Sequence, residues 1–149
     1  MTYRFKQLSA DDVPLLKELL AVFRAAFEDS AYDAAPGDDY LRSLLAKGHF
    51  MALVAIAGDK VVGGLAAYEL EKFEQDRREI YIYDLAVAAL HRRQGIARQL
   101  ILELKHCAKR RKAYVIFVQA DEEDAAAIRL YESLGTKERA YQFDIPVDL

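Results

Sequence analysis

The stretch IYIYDLAVAALHRRQGIARQLI, residues 80–101, decides how this chain is read. Its first part, Ile80 to Val87, is rich in β-branched and aromatic residues and predicts a strand. A connection carrying two arginines and Gly95 follows, after which Ile96, Leu100, Leu104 and Ala108 recur at helical spacing to about Arg111. The first turn of such a helix leaves backbone N–H groups without intrahelical partners, and with the helix dipole these favour an anion. Gly95 has no Cβ to keep a ligand off the backbone. Arg92, Arg93 and Arg98 add charge-assisted hydrogen bonds of the kind phosphate accepts. The run lacks both the G-x-x-x-x-G-K-[ST] of a P-loop and the repeated glycines of a dinucleotide fingerprint. Taken alone it suits a phosphate or pyrophosphate of some kind.

Outward from this unit, the periodicity predicts a strand over Tyr3 to Leu8 and a capping-box start at Ser9 to Asp12. A helix follows, with Leu16, Leu19, Leu20, Phe23 and Phe27 on its apolar face. The turn-rich segment Asp33 to Asp39 leads to a short helix near Tyr40 to Ala46. Phe50 to Ala57 and Lys60 to Leu70 are apolar runs joined at Gly58-Asp59, a hairpin signal. Downstream, Tyr114 to Gln119 reads as a buried strand, Asp121 to Leu134 as a helix stopped by Gly135, and Tyr141 to Ile145 as a last strand. The expected order is β-α-α-β-β-β-α-β-α-β, an α/β class built on a mixed sheet.

With 149 residues, no repeat and no low-complexity linker, one domain over 1–149 is expected. The single cysteine, Cys107, leaves no disulfide framework, and no Cys/His cluster has the spacing of a metal site, so no metal is expected. The opening MTYRFKQLSADDV contains no apolar segment of signal-peptide length, and no run approaches the ~18 residues of a membrane span. A soluble, cytoplasmic protein without a membrane partner is the expectation.

Charge is segregated. Between Ala25 and Leu41 there are five acids (Glu28, Asp29, Asp33, Asp38, Asp39) and no lysine or arginine. Between His91 and Lys112 there are eight lysines and arginines against one acid, Glu103. The distribution is that of one pocket for an anion and another for a cation, or of two solvated faces. The net charge of −3 and the want of exposed aromatics interleaved with the basic residues argue against nucleic acid.

Arg92-Arg-Gln-Gly95-Ile-Ala97 resembles the R/Q-x-x-G-x-G/A signature of the GCN5-related N-acetyltransferases. The preceding DLAV, the helix and strand after it, and Ala127, Tyr131 and Leu134-Gly135 follow in that superfamily's order. From about Asp39 onward the chain is further similar to the aminoglycoside 3-N-acetyltransferases of this type. The carrying pieces are FEQ at 73–75, EIYIYDLAV at 79–87, HRRQGIA at 91–97, AYVI at 113–116, VQAD at 118–121 and FDI at 143–145.

That resemblance implies transfer of acetyl from acetyl-CoA to an amine of an aminoglycoside, the 3-amino group of gentamicin-like substrates, with resistance as the outcome. The cofactor contacts would come from Leu85, Ala86, Val87, Arg92, Arg93, Gln94, Gly95, Ile96, Ala97, Arg98, Asp124 and Tyr131. A backbone N–H at Leu85 to Val87 would polarise the acetyl carbonyl. Asp84 would accept the amine's proton and Tyr131 would supply one to the departing CoA sulfur. Asp124 stands where many members carry asparagine, which weakens any contact of that side chain with the pantetheine arm. A polycationic acceptor needs carboxylates, and Glu79, Tyr83, Asp84, Asp121 and Asp144 are the acceptor candidates. The acids Glu28 to Asp39 would form a rim and Phe73 to Gln75 a wall. A homodimer is the family expectation. A polyamine, metabolite or peptide amine as acceptor, or a non-catalytic acetyl-CoA-binding module, are the competing readings.

Overall fold

A computed structural model describes residues 2–149, which fall into two compact units, one ending at Gln119 and the other spanning Ala120–Leu149. The first holds a five-stranded mixed sheet in the order β1-β2-β3-β4-β5. Its elements are β1 (Tyr3–Gln7), α1 (Val13–Phe27), α2 (Asp38–Ala46), β2 (Phe50–Ala57), β3 (Lys60–Glu71), β4 (Arg78–Val87), α3 (Ile96–Arg110) and β5 (Ala113–Val118). The strands from β1 to β4 pair antiparallel, and β5 joins β4 in parallel. The parallel pair requires a crossover, and α3 supplies it.

Alternation along the central strands buries both faces of the sheet. On the α1 side, Ala52, Val54 and Ile56 pack with Leu16, Leu19 and Phe23 of α1 and Leu41 and Leu45 of α2. The intervening Met51, Leu53 and Leu65, with Ile80 and Ile82, are buried as well, on the side where α3 buries Ile96, Leu100 and Leu104. Such two-sided burial accounts for the near-continuous apolar run of β2. Gly64 is where helix and sheet meet most closely: a Cβ there would lie 2.5 Å from Leu19 Cδ1 and 2.6 Å from the Leu53 carbonyl oxygen.

The mixed α/β architecture is the expected one, with three local differences. β5 is the last strand of this unit's sheet rather than a buried one, with Tyr114 and Val115 exposed. In the second unit the helix α4 covers Ala125–Glu132, starting after Asp121, because Asp124 is its N-cap and accepts a hydrogen bond from the Ala127 N–H at 3.1 Å. The last strand, expected over Tyr141 to Ile145, is not formed. Tyr141, Phe143 and Ile145 alternate as a strand would, yet all three are exposed and no ladder pairs the segment. Alternation marks a chain that could pair and does not itself specify a partner strand. Among the described residues no helix is long and apolar enough to cross a membrane.

Candidate active site

The site is built where β4 leaves β5. Pairing between them runs from Arg78 opposite Ala113 to Ile82 opposite Val118 and stops. Tyr83 to Val87 therefore continue along β3 alone, with their other edge free of a strand partner in this unit. At the same point β4 carries a bulge. Ile82 stands opposite Ala67 and Asp84 opposite Ala66, leaving Tyr83 as the extra residue. Strict alternation would put Asp84 on the buried side shared by Ile82. The bulge instead turns it to the α1 side, where Ala66 packs.

On that side Asp84 is half-buried and accepts a 2.5 Å hydrogen bond from the hydroxyl of Tyr32. Tyr32 ends a short 3-10 turn, Ser30–Tyr32, that follows the left-handed C-cap of α1 at Glu28. Burial holds the Asp84 carboxyl above the usual carboxylate range, while the Tyr32 hydrogen bond opposes that rise and Asp29 adds to it. Tyr32 itself is raised, first by burial and then by Asp84, so its phenol stays protonated. A row of rings lies alongside. Tyr68 meets Tyr83 edge-on at 6.0 Å, Tyr83 meets Tyr81 at 5.9 Å, and Tyr81 stacks on Phe117 at 4.7 Å. Tyr83 is 61% exposed, as an acceptor contact requires.

The loop after β4 runs to the start of α3, the stretch expected to hold an anion. Gly95 adopts a left-handed conformation (φ 78°) as the N-cap of α3, and a Cβ there would meet nothing within 4 Å. What glycine supplies is therefore a backbone conformation and open space in front of the helix start. Arg93 shares the left-handed region (φ 62°), and Arg92 donates from Nε to the Val87 carbonyl at 3.1 Å, tying the loop to the end of β4. Arg92, Arg93, Gln94 and Arg98 are exposed, Ala97 is half-exposed and Ile96 is buried as the first core residue of α3. Leu85 and Val87 are half-buried and Ala86 is buried, all three on the free-edged part of β4. His91 Nδ1 lies 3.0 Å from the Tyr3 hydroxyl, anchoring the loop's start to β1. These residues fit an acetyl-CoA pyrophosphate: an open helix start, a left-handed glycine and cationic side chains at one end of the free strand edge.

The basic run from His91 to Lys112 does not form one patch. α3 is 15 residues long, so its two ends stand ~22 Å apart. The C-terminal basics Arg110, Arg111 and Lys112 line an open cavity of about 450 Å³ with Arg78, Glu69 and Asp76.

The acidic residues disperse too. Asp38 is 3.0 Å from Lys17, Asp39 is 2.9 Å from Arg42, and Asp29 caps the 3-10 turn by accepting from the Ala31 N–H at 2.9 Å. Only Asp29 of that set is coupled to Asp84. Glu79 lies five residues before Asp84, roughly 16 Å along the strand, where Tyr114 donates to it and Lys72 is 3.7 Å away. Phe73 to Gln75 form an exposed connection, Phe73 entirely so.

In the second unit Asp121 and Asp144 are exposed, the latter accepting from Gln142 Nε2 at 3.2 Å. The Asp124 carboxylate is engaged as the cap of α4. Tyr131 is half-buried, its pKa pushed up to about 12 by burial and then by Asp124. Tyr32 is the residue that sequence reasoning missed. It sat inside the acidic segment, and no motif or periodicity links it to Asp84.

Comparison with known proteins shows what the chain as a whole is similar to. The Acetyltransferase (GNAT) family matches residues 14–136. A solved aminoglycoside acetyltransferase from an uncultured soil metagenomic sample is 53% identical, covers 99% of this chain and 100% of its own, and superposes with a TM-score of 0.97. A second such enzyme from a soil metagenomic sample, solved in complex with sisomicin, is 31% identical over 98% of this chain and 97% of its own, with a TM-score of 0.92. Among curated proteins, N-acetyltransferase 8B of Rattus norvegicus is 27% identical over 90 residues, 60% of this chain. The match spans 40% of that relative's length.

Proposed function

The chain belongs to the acetyltransferase (GNAT) family, and on that premise we propose that it transfers acetyl from acetyl-CoA to an amine of an aminoglycoside. The 3-amino group of gentamicin-like substrates is the proposed position, and resistance in the cytoplasm the proposed outcome. The observation that carries the reading is Asp84. It is a half-buried carboxylate, turned by a bulge to the side of the sheet where Tyr32 meets it, beside the exposed ring of Tyr83 and at the place where β4 has lost its β5 partner. Two solved relatives above 30% identity, both aminoglycoside acetyltransferases, support the acceptor class.

At neutral pH the acceptor amine is an ammonium ion, and it becomes a nucleophile only after losing a proton. Asp84 attracts that cation and accepts the proton, directly or through water; its raised pKa brings its basicity nearer to that of its task. The rings of Tyr68, Tyr81 and Tyr83 offer flat apolar faces and hydroxyls to a sugar. Acetyl-CoA supplies the activated acyl group. Backbone amides on the free edge at Leu85 to Val87 are assigned to its carbonyl oxygen, and the loop from Arg92 to Arg98 to its pyrophosphate. Tyr131 is assigned the proton for the leaving sulfur, which a phenol titrating at about 12 still carries at neutral pH. A homodimer is carried as part of the proposal.

The test is thiol release from acetyl-CoA across a panel of aminoglycosides, polyamines and peptide amines. Release with gentamicin-like aminoglycosides well above the other classes is expected. Release only with polyamines or peptides would move the acceptor, and no release with any amine would leave only an acetyl-CoA-binding module.

A further inference from the structure

Tyr32 is held at every level. Its backbone carbonyl accepts from Arg24 Nε at 2.6 Å, its ring packs against Phe23 at 6.1 Å and Phe27 at 5.6 Å, and its hydroxyl donates to Asp84 Oδ2. The turn that carries it is capped by Asp29. So much fixation of one exposed-loop residue, ending on the carboxylate at the bulge, goes beyond what closing the loop requires. We infer that Tyr32 is a positioning residue for the proposed acetyl transfer: its hydroxyl fixes the Asp84 carboxylate through Oδ2 and leaves Oδ1 for the acceptor amine. The inference rests on the acetyl-transfer reading.

A carboxylate has two oxygens and free rotation about its last torsion, so a short bond to one oxygen sets where the other points. It also sets charge. The groups that face Asp84 are Tyr32 and Asp29 from the turn, Tyr81 and Tyr83 on β4 and Tyr68 on β3; all are acids or phenols. Burial and Asp29 disfavour the ionised carboxylate, and the Tyr32 hydrogen bond is what works in its favour. Without that bond, Asp84 would hold its proton to higher pH, so the ionised form would be lost earlier on the acid side, and its second oxygen would no longer be held in place.

Two measurements on Tyr32→Phe against wild type decide this. The first is the pH profile of kcat/KM by thiol release; the second is titration of aspartate side-chain carboxyl carbons by 13C NMR in the free protein, with the Asp84 resonance identified by its loss in Asp84→Asn. Phenylalanine keeps the packing on Phe23 and Phe27, so the fold is preserved. Expected are an acid limb and an Asp84 titration both moved to higher pH, a kcat/KM that is lowered most on the acid side and recovers as pH rises, and unchanged acetyl-CoA affinity. An Asp84 titration identical to wild type would overturn the inference, as would a pH-independent loss of rate. The carbon titration needs no turnover. Failure of the wild type to acetylate any amine would therefore sink the acetyl-transfer reading separately from the Tyr32 contact.

Discussion

Asp84 stands opposite Ala66 on β3 even though Ile82, only two residues before it, stands opposite the neighbouring Ala67. The extra residue between them, Tyr83, reverses the side on which every later β4 side chain emerges. A carboxylate that regular alternation would bury under α3 is thereby brought to the face where Tyr32 meets it. Position on the bulge, more than the presence of an acid in the strand, makes Asp84 available for chemistry.

Asp84→Asn removes the proposed base while keeping size and the hydrogen bond from Tyr32. We expect kcat to fall by about 10²- to 10⁴-fold. Acetyl-CoA affinity, measured by calorimetry, should stay within about twofold, because the assigned donor contacts are the backbone amides at Leu85 to Val87 and the loop from Arg92 to Arg98, not the Asp84 carboxylate.

The same substitution should act oppositely on stability. Asp84 titrates above its ordinary value of 3.8 in the folded protein, so the native state binds that proton more readily than the unfolded chain. The group's favourable contribution is fully present below the ordinary value and is lost as pH rises through the raised one. At neutral pH the ionised carboxylate therefore weighs against the fold. Thermal melts should find Asp84→Asn more stable than wild type at about pH 7, with the difference gone by about pH 3.

Gly95→Asp places a carboxylate in the open space before α3 and a side chain at a left-handed φ of 78°. Both the strain and the negative charge oppose an anion at the helix start. Acetyl-CoA binding should be lost, by about 100-fold or more in Kd, with thermal stability changed much less.

Tyr131→Phe should lower kcat about tenfold or more with little effect on acetyl-CoA affinity. Since the Tyr131 pKa is pushed up to about 12, the wild-type kcat should hold between about pH 8 and 10 rather than decline there. Stopped-flow or plate assays of thiol release across that range would check both points.

Gly64→Ala tests the packing that supports the site. The new methyl would fall 2.6 Å from the Leu53 carbonyl oxygen, which cannot swing away as the Leu19 side chain can. Chemical denaturation should report a loss of about 1–3 kcal/mol.

Much of this was legible in the sequence, for identifiable reasons. Helical spacing from Ile96 to Ala108 and the glycine before it located α3 and its open start, because both signals are local. Asp84 stood out as an acid inside an apolar strand. The bulge at Tyr83 did not, since an extra residue leaves the composition of a strand unchanged and shows itself only in register. Tyr32 lies 52 residues from Asp84 and is joined to it by one hydroxyl, which no periodicity encodes. Tyr141 to Ile145 was read as a last strand and forms none, because an alternating pattern specifies a face and not the edge that would pair with it. Segregated charge proved coarser still: Lys17 and Arg42 each take one acid of the 25–41 segment, and the length of α3 separates the basic residues.

The most direct test of acetyl transfer to an aminoglycoside is to incubate the purified protein with 13C-acetyl-CoA and gentamicin and to assign the labelled product by two-dimensional NMR. One acetyl amide per antibiotic is expected, correlated to the proton at the 3-amino position, formed by wild type and far more slowly by Asp84→Asn. An unmodified antibiotic after full incubation, or an acetyl group formed equally well by Asp84→Asn, would contradict it.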